Sequence, residues 1–397
     1  MKKYHILVLN QIAPVGLSRL PADQYDVAKS IAHPDAILLR SHDMHGMDIP
    51  LSVKAIGRAG AGTNNIPVDS MSARGVPVFN APGANANAVK ELVLAGLLIA
   101  ARNLAPAMRY VESLDKAAPD LEAKVEDGKK QFAGSELPGK MLGIIGLGAI
   151  GSLVADTAIK LGMKVIGFDP HITVDAAWRL PSNVKKANSV EEVLKQSDFV
   201  SLHVPLVETT RGLLNEQRLQ LMKSDCALLN FSRDGIVDED AVLAALTQKK
   251  LRYYICDFPA PGSIGHPGVV ALPHLGASTA EAEENCAIMV VDQVREFLEQ
   301  GTIANSVNFP NVEMTRESPY RISIANANVP NMLGQISTAM ANAKLNIHNM
   351  INKSRGDMAY TLVDVDSPIS DQVVRDIRAI KGVLSVRAIP LQDEPKR

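Results

Sequence analysis

The sequence predicts an α/β fold in three parts: a doubly wound parallel-sheet domain, a flavodoxin-like second domain and a C-terminal ferredoxin-like βαββαβ module. The length of 397 residues is more than a single hydrophobic core usually serves. Short apolar runs alternate with helical patterns through most of the chain, as in parallel sheets that are covered on both faces. From Tyr320 onward the pattern changes to strand, helix, strand, strand, helix, strand.

The composition excludes several classes of protein. The chain is 46% hydrophobic, which is too apolar for a largely disordered protein. Its formal net charge of -2 provides no field for nucleic acid or an anionic membrane. The longest apolar stretch, residues 92–101, is about half as long as a membrane span. Three scattered cysteines without a CxxC pair indicate neither a disulfide framework nor a metal site. We therefore expect a cytoplasmic protein that binds neither nucleic acid nor membrane.

Residues 1–93 and 280–310 are predicted to form a discontinuous substrate-binding domain. The apolar runs of the first segment are separated by polar turns, as expected for short parallel strands joined by helices. These runs are residues 6–9, 36–39, 53–56 and 76–79.

Residues 94–279 are predicted to form the nucleotide-binding domain. Its apolar runs have the length of strands buried on both faces, with helical patterns between most of them. They are residues 141–145, 165–168, 199–202, 226–229, 253–256 and 269–272. The polar stretch 311–319 then predicts a linker, and residues 320–397 form the C-terminal module.

The sequence GLGAIG at residues 146–151 is a GxGxxG motif between a predicted strand and a predicted helix. The first glycine permits a tight turn, the second lets the backbone approach a pyrophosphate, and the third lets helix and strand pack closely. The phosphates would then lie at the positive end of the helix. The predicted cofactor contacts of this Rossmann-type loop are Gly146, Gly148, Ala149, Ile150 and Gly151.

Asp169 closes the next predicted strand, where a carboxylate can accept hydrogen bonds from the adenosine ribose hydroxyls. A 2′-phosphate would be repelled there, so the sequence favours NAD over NADP. His171 is a possible basic neighbour, and the exclusion of NADP is therefore not absolute.

Further motifs occur in an order that resembles the D-2-hydroxyacid dehydrogenases. They are RAGAGTNNIP at 58–67, NAPGANA at 80–86, HVP at 203–205, NFSR at 230–233 and PHLGAST at 273–279. The C-terminal module resembles the amino-acid-binding ACT type found in many of these enzymes. The resemblance spans nearly the whole chain. It implies that His203, Pro205 and Asp257 lie beside NAD, with Asp257 near the nicotinamide carboxamide.

Oxidation of a 2-hydroxy acid needs a base for the hydroxyl proton and a cation for the carboxylate. His274 follows a predicted strand, and histidine is the residue type best suited to reversible proton transfer at neutral pH, so we expect it to be the base. Arg233 follows another strand, and its guanidinium can hold the substrate carboxylate. We expect the two main domains to close around the substrate, with hinges near residues 91–100 and 279–290.

The sequence departs from the family at two positions. The family has a glutamate that pairs with the catalytic histidine, but here CDFPAPG at 256–262 is followed by no glutamate before His274. Either His274 acts without a carboxylate partner, or an acid from elsewhere, such as Glu281, serves. Asp234 also replaces the glycine that usually follows the arginine.

The predicted substrate side is basic, which favours a phosphorylated hydroxy acid. Arg40, Arg58 and Lys90 are its candidate cations. The backbone amides of residues 60–62 could hold a carboxylate in a nest. The remaining predicted substrate contacts are Ala61, Gly62 and Asn64. The resemblance implies oxidation of D-3-phosphoglycerate to 3-phosphohydroxypyruvate, the first step of L-serine biosynthesis.

The C-terminal module carries three asparagines at positions where the family binds an amino-acid effector, typically L-serine, between two modules: Asn326, Asn328 and Asn346. Amides can bind ammonium and carboxylate groups without burying a fixed charge. We expect a homodimer or homotetramer that pairs through the nucleotide domains and again through these modules. Asparagines are also common in turns, so a module that only dimerises remains an alternative.

Two other functions remain open from the sequence. One is another D-2-hydroxyacid dehydrogenase, such as a glyoxylate or hydroxypyruvate reductase. The other is a non-catalytic NAD-binding redox sensor, which the missing glutamate leaves possible.

Overall fold

The computed structural model describes residues 3–391, apart from the side chain of residue 175. The chain divides into two compact units. One is Ala86–Thr279, and the other is formed by the chain before and after it. Within residues 3–391, no helix is long and apolar enough to cross a membrane.

The chain before Ala86 forms a five-stranded parallel sheet and two short helices. The strands are β1 (Tyr4–Val8), β2 (Tyr25–Ala28), β3 (Ala36–Leu39), β4 (Ala55–Arg58) and β5 (Val78–Phe79). The helices are α1 (Pro14–Leu17) and α2 (Val68–Ala73). The strand order β2-β1-β3-β4-β5 confirms the predicted flavodoxin-like arrangement. All four residues of β3 are buried, as expected for a central strand that is covered on both faces.

Ala86–Thr279 contains a seven-stranded parallel sheet of order β12-β11-β10-β9-β6-β7-β8, which confirms the predicted doubly wound domain. Its strands are β6 (Met141–Ile145), β7 (Lys164–Phe168), β8 (Val184–Lys186), β9 (Phe199–Leu202), β10 (Ala227–Asn230), β11 (Tyr253–Cys256) and β12 (Val269–Ala271).

The helices of this unit cover both faces of the sheet, so its apolar side chains form two separate clusters. Several helices begin at a capping side chain. Ser189 accepts a hydrogen bond from the amide of Glu192, and Asp238 accepts one from the amide of Ala241. The helices are α3 (Ala86–Ala101), α4 (Leu104–Glu112), α5 (Leu121–Gly128), α6 (Ala149–Lys160), α7 (Val174–Arg179), α8 (Val190–Gln196), α9 (Glu216–Leu219) and α10 (Glu239–Thr247), with a 3-10 helix at Lys129–Phe132.

After this unit, a long helix leads to an antiparallel module, and both belong to the same unit as the chain before Ala86. The helix is α11 (Ala280–Gln300), and the module contains β13 (Tyr320–Ala327), α12 (Met332–Asn342), β14 (Ile347–Arg355), β15 (Met358–Val365), α13 (Asp371–Arg378) and β16 (Val383–Pro390). Its strand order, β14-β15-β13-β16, confirms the ferredoxin-like fold.

The module packs against the last turn of α11. Alternate residues of its strands face either its own helices or the core around α11, so Ile322 and Ile324 lie in one cluster and Ala325 in the other. The segment 311–319, predicted as a linker, has no helix or strand, yet Val312 and Met314 are buried in that same core. The module and α11 therefore share hydrophobic packing.

Candidate active site

Six strands of the seven-stranded sheet end in register at one edge. The residues paired across this edge are Phe168, Ile145, Leu202, Asn230, Cys256 and Ala271. Four predicted cofactor residues directly follow members of this row: Asp169, Gly146, His203 and Asp257. Open α/β sheets bind ligands beyond the carboxyl ends of their strands. The strand register therefore brings these four residues to one binding edge.

The glycine loop lies tightly on the sheet and is open on its outer side. Gly146 has φ +94°, and a Cβ there would lie 2.4 Å from the carbonyl oxygen of His203. A Cβ on Gly151 would lie 2.0 Å from the carbonyl oxygen of Gly146. Helix α6 can therefore lie this close to the end of β6 only because residue 151 is a glycine. A Cβ on Gly148 would meet no atom within 4 Å. The space in front of Gly148 fits a closely approaching pyrophosphate.

Helix α6 begins directly behind this open space. Its N-cap is Gly148, no side chain caps it, and no acidic residue lies in its first turn. Helix N-termini leave unpaired amide donors, and these favour anions. Ala149 and Ile150 are the first two residues of the helix, and their predicted contact with phosphate is compatible with this uncapped N-terminus.

Asp169 holds the glycine loop. Its Oδ2 accepts from the amide of Leu147 at 2.9 Å, and its Oδ1 accepts from the amide of His171 at 2.9 Å. Each carboxylate oxygen can accept a further hydrogen bond, so ribose hydroxyls can bind alongside these amides. The contact with Leu147 fixes the carboxylate relative to the phosphate loop.

His203 and Asp257 each have a buried polar atom without a partner among residues 3–391. In His203, Nε2 lies 2.9 Å from the hydroxyl of Ser201, and Nδ1 is unpaired. Burial lowers the pKa of the His203 imidazole to about 4. In Asp257, Oδ2 accepts from the amide of Gly276 at 3.1 Å, Oδ1 is unpaired, and burial raises the pKa of the carboxyl. Unpaired buried polar atoms call for a partner outside the chain. The carboxamide of NAD could donate a hydrogen bond to Oδ1 of Asp257. Pro205, another predicted cofactor contact, is exposed, and its backbone has no amide hydrogen to donate.

The two predicted catalytic residues lie in the same unit, and both side chains are exposed. His274 follows β12, and its ring centroid is 4.3 Å from that of Phe258. Arg233 follows β10, and its carbonyl accepts from the side-chain amide of the buried Asn230 at 3.1 Å. The side-chain oxygen of Asn230 also accepts a hydrogen bond from the amide of Ser232 at 3.2 Å. One buried side chain therefore fixes the backbone of the loop that carries Arg233.

Two predicted substrate cations lie together in the other unit. Leu39 pairs with Arg58, so Arg40 and Arg58 both lie at the carboxyl edge of the five-stranded sheet. The Nε of Arg58 donates to the carbonyl of Arg40 at 3.0 Å. Arg40 also forms an ion pair with Glu283 in the first turn of α11, with 2.5 Å between Nη1 and Oε1. One carboxylate thus offsets part of the positive charge of the two arginines.

The loop after Arg58 is held by asparagine side chains. Asn80 donates to the carbonyl of Ala61 at 2.5 Å. Asn65 donates to the carbonyls of Arg40 and His42 at 3.2 and 2.7 Å, and its buried Oδ1 has no partner among the described residues. Gly62 lies between these anchored residues, and the neighbouring Asn64 is exposed.

Lys90 lies in α3, in Ala86–Thr279, whereas Arg40 and Arg58 belong to the other unit. Its Nζ donates to Asn87 at 2.6 Å and lies 3.7 Å from a carboxylate oxygen of Glu91. No single unit brings it together with the two arginines, and its substrate role stays a prediction.

The three predicted effector asparagines lie at two ends of the C-terminal sheet. Asn326 pairs with Ala359 near one end, and Asn328 follows at the same end. Asn346 precedes Ile347, which pairs with Val365 at the other end. A single module therefore does not bring Asn346 together with Asn326 and Asn328.

Sequence reasoning missed four residues that support these groups: Ser201, Asn230, Phe258 and Glu283. Asn230 lies inside the NFSR motif and could have been found there as the residue that precedes the arginine loop. The other three are recognisable only from their contacts. Among residues 3–391, no cluster of three or more His, Cys, Asp or Glu side chains could hold a metal ion.

Comparison with known proteins gives consistent results. Residues 94–276 match the family described as D-isomer specific 2-hydroxyacid dehydrogenase, NAD binding domain. The D-3-phosphoglycerate dehydrogenase of Haemophilus influenzae is 34% identical over 351 residues, which are 84% of this chain and 81% of the relative. The enzyme of the same name from Escherichia coli K12 is 31% identical over 387 residues, 92% of this chain and 90% of the relative.

A solved structure shares the fold. The NAD+-bound 3-phosphoglycerate dehydrogenase of Entamoeba histolytica superposes with a TM-score of 0.60 and 24% identity. The match covers 77% of this chain and 99% of that one.

Gly148→Ala tests the cofactor loop. The backbone at Gly148 is extended and the added methyl group meets no atom of the chain, so only the poorer N-cap preference of alanine should lower the melting temperature, by about 3 °C or less. The methyl group would enter the space assigned to the pyrophosphate. We expect the Kd for NADH, measured by its fluorescence, to rise about tenfold or more, which corresponds to about 1.4 kcal/mol.

Gly46→Ala is the matched control, since a Cβ there also meets no atom within 4 Å, and it should change neither quantity. Wild-type NADH affinity in Gly148→Ala would show that the cofactor does not approach this loop.

Proposed function

This chain belongs to the D-isomer specific 2-hydroxyacid dehydrogenase family, and we propose that it oxidises D-3-phosphoglycerate to 3-phosphohydroxypyruvate with NAD, the first step of L-serine biosynthesis. The observation that carries the proposal is the placement of the NAD loop, Arg233 and His274 at the ends of parallel strands in one unit. The similarity to two bacterial D-3-phosphoglycerate dehydrogenases over most of their length supports this substrate.

Each residue has a defined part in this reaction. Bound NAD supplies the acceptor for the hydride that leaves C2. His274 takes the hydroxyl proton, since an imidazole can accept and release a proton near neutral pH. Arg233 is exposed at the end of β10 and can bind the substrate carboxylate with two parallel hydrogen bonds. Arg40 and Arg58, which lie side by side, are proposed to bind the phosphate.

We further propose that the chain assembles as a homodimer or homotetramer. Helix α4 has no buried residue, and Leu104, Met108 and Val111 form an exposed stripe on one of its faces. Such a stripe suits pairing of the nucleotide-binding units of two copies. In the C-terminal modules, L-serine is proposed to bind between Asn326 and Asn328 of one copy and Asn346 of another. The cytoplasmic location stays a prediction.

The decisive experiment measures NADH oxidation with 3-phosphohydroxypyruvate in the wild type and in His274→Ala. In this direction His274 returns the proton to the carbonyl oxygen, so we expect turnover in the wild type and a kcat lower by about 10² to 10⁴ in the variant, because general acid–base catalysis contributes that much. NADH binding should remain. Full turnover in His274→Ala would show that His274 is not the group that transfers the proton. Turnover with glyoxylate but not with the phosphorylated keto acid would identify a different dehydrogenase, and NADH binding without any turnover would favour a redox sensor.

The same assay with L-serine separates regulation from assembly. Lower turnover in its presence would support an effector site, and unchanged turnover would leave the module an assembly role.

Glu283→Gln tests the phosphate-binding side. Glutamine keeps an acceptor for Arg40 but removes the negative charge that lies beside the two arginines. A surface charge pair at this distance contributes about 1 kcal/mol, so the KM for 3-phosphohydroxypyruvate should fall about three- to tenfold with little change in kcat. The KM for unphosphorylated hydroxypyruvate should fall less.

Glu284→Gln is the matched control, because it makes the same charge change at the next residue of the same helix, and Glu284 has no ion pair among the described residues. An unchanged or higher KM in Glu283→Gln would argue against phosphate binding at Arg40.

A further inference from the structure

The proposed catalytic base has no hydrogen-bonded partner within its own unit. The sequence provides no glutamate between Asp257 and His274, and within Ala86–Thr279 the ring nitrogens of His274 make no hydrogen bond or ion pair. Asp257 lies close enough for the charge of His274 to act on its pKa, but its Oδ2 accepts from the amide of Gly276. The orientation of this imidazole therefore needs another source.

The ring of Phe258 is in contact with the ring of His274. Their centroids are 4.3 Å apart and their planes are inclined by 46°. The sheet produces this contact, because Cys256 pairs with Ala271 and its carbonyl accepts from the amide of Leu272 at 2.9 Å. Phe258 lies two residues after Cys256, and His274 lies three residues after Ala271. Both residues therefore lie just beyond the ends of two neighbouring strands.

Both sides of the ring contact are anchored to rigid elements. On the Phe258 side, the amide of Ala260 donates to Glu239, in the first turn of α10, at 3.3 Å. The carbonyl of Ala260 accepts from the hydroxyl of Ser263 at 2.8 Å. On the His274 side, the amide of Gly276 is bound by the buried Asp257. The backbone near each of the two rings is thus held by hydrogen bonds.

We propose that Phe258 is the positioning residue for His274 and orients the imidazole where the family uses a carboxylate. This inference rests on the proposed function. The ring contact restricts rotation of the imidazole, and the π face of Phe258 stabilises the cationic imidazole that forms when the substrate O–H bond breaks and a ring N–H bond forms. The proton then passes to solvent. Unlike a carboxylate, Phe258 fixes the ring plane without selecting which nitrogen carries the proton.

The test compares Phe258→Leu with Phe258→Tyr. Leucine removes the ring but keeps an apolar side chain, and tyrosine keeps the ring. We expect the kcat of Phe258→Leu to fall about tenfold, with a larger solvent deuterium isotope effect and an unchanged KM for NADH, because only proton transfer is impaired. Phe258→Tyr should retain most of the kcat. Phe132→Leu, which removes a half-buried ring elsewhere in the unit, should leave kcat unchanged.

A second readout does not depend on turnover. The aromatic ring should shift the C–H proton resonances of His274 upfield, and these resonances can be assigned by their loss in His274→Ala. We expect the shift to disappear in Phe258→Leu and to persist in Phe258→Tyr. If the shift behaves in this way while the wild type fails to reduce 3-phosphohydroxypyruvate, the ring contact stands and the proposed function fails.

Two results would overturn the inference. One is a kcat in Phe258→Leu within twofold of the wild type. The other is an equal loss of kcat in Phe258→Leu and Phe258→Tyr, which would mean that the aromatic ring is not what His274 requires.

Discussion

The register of the seven-stranded sheet is the constraint on which the candidate active site depends. Parallel strands that end at one row present their following residues to the same edge, whatever their distance along the chain. Gly146, Asp169, His203 and Asp257 all follow that row directly. A slip of one residue in any strand would turn its side chains to the opposite face. The site is therefore specified by the same pairing that buries the core of this unit.

At this edge, buried polar groups lie near glycines that pack closely against the neighbouring backbone. Gly146 and Gly151 leave no room for a side chain, whereas Gly148 borders open space. At the same edge, His203 and Asp257 have buried polar atoms without a partner among the described residues. Such atoms destabilise a fold unless a ligand, an ion or water pairs with them. The free energy that they cost in the absence of a partner becomes affinity when a cofactor supplies one.

Short sequence motifs predicted those site residues whose contacts lie close to them along the chain. The GxGxxG loop and Asp169 belong to one strand–helix–strand unit, so their spacing alone indicates their contacts. The pairing of Arg40 with Glu283 could not be predicted, because it joins a strand end to a helix far along the chain. For Asn326 and Asn346, the order of elements predicted the fold of the module but not which strand ends meet. The Phe258–His274 contact depends on two loop conformations that no periodicity encodes.

Helix α11 connects two functional regions within one unit. Its first turn holds Glu283, which pairs with Arg40. The carbonyls at its other end accept hydrogen bonds from the C-terminal module: Arg387 donates to Leu298 at 2.8 Å, Arg321 to Gln300 at 3.2 Å and Tyr360 to the following Gly301 at 2.8 Å.

Cationic side chains at a helix C-terminus also stabilise its dipole. The guanidinium of Arg321 is itself fixed by two hydrogen bonds to the buried Asp364, at 2.7 and 2.9 Å. Helix α11 thus carries the Glu283–Arg40 ion pair in its first turn and accepts the hydrogen bonds of the C-terminal module at its last turn.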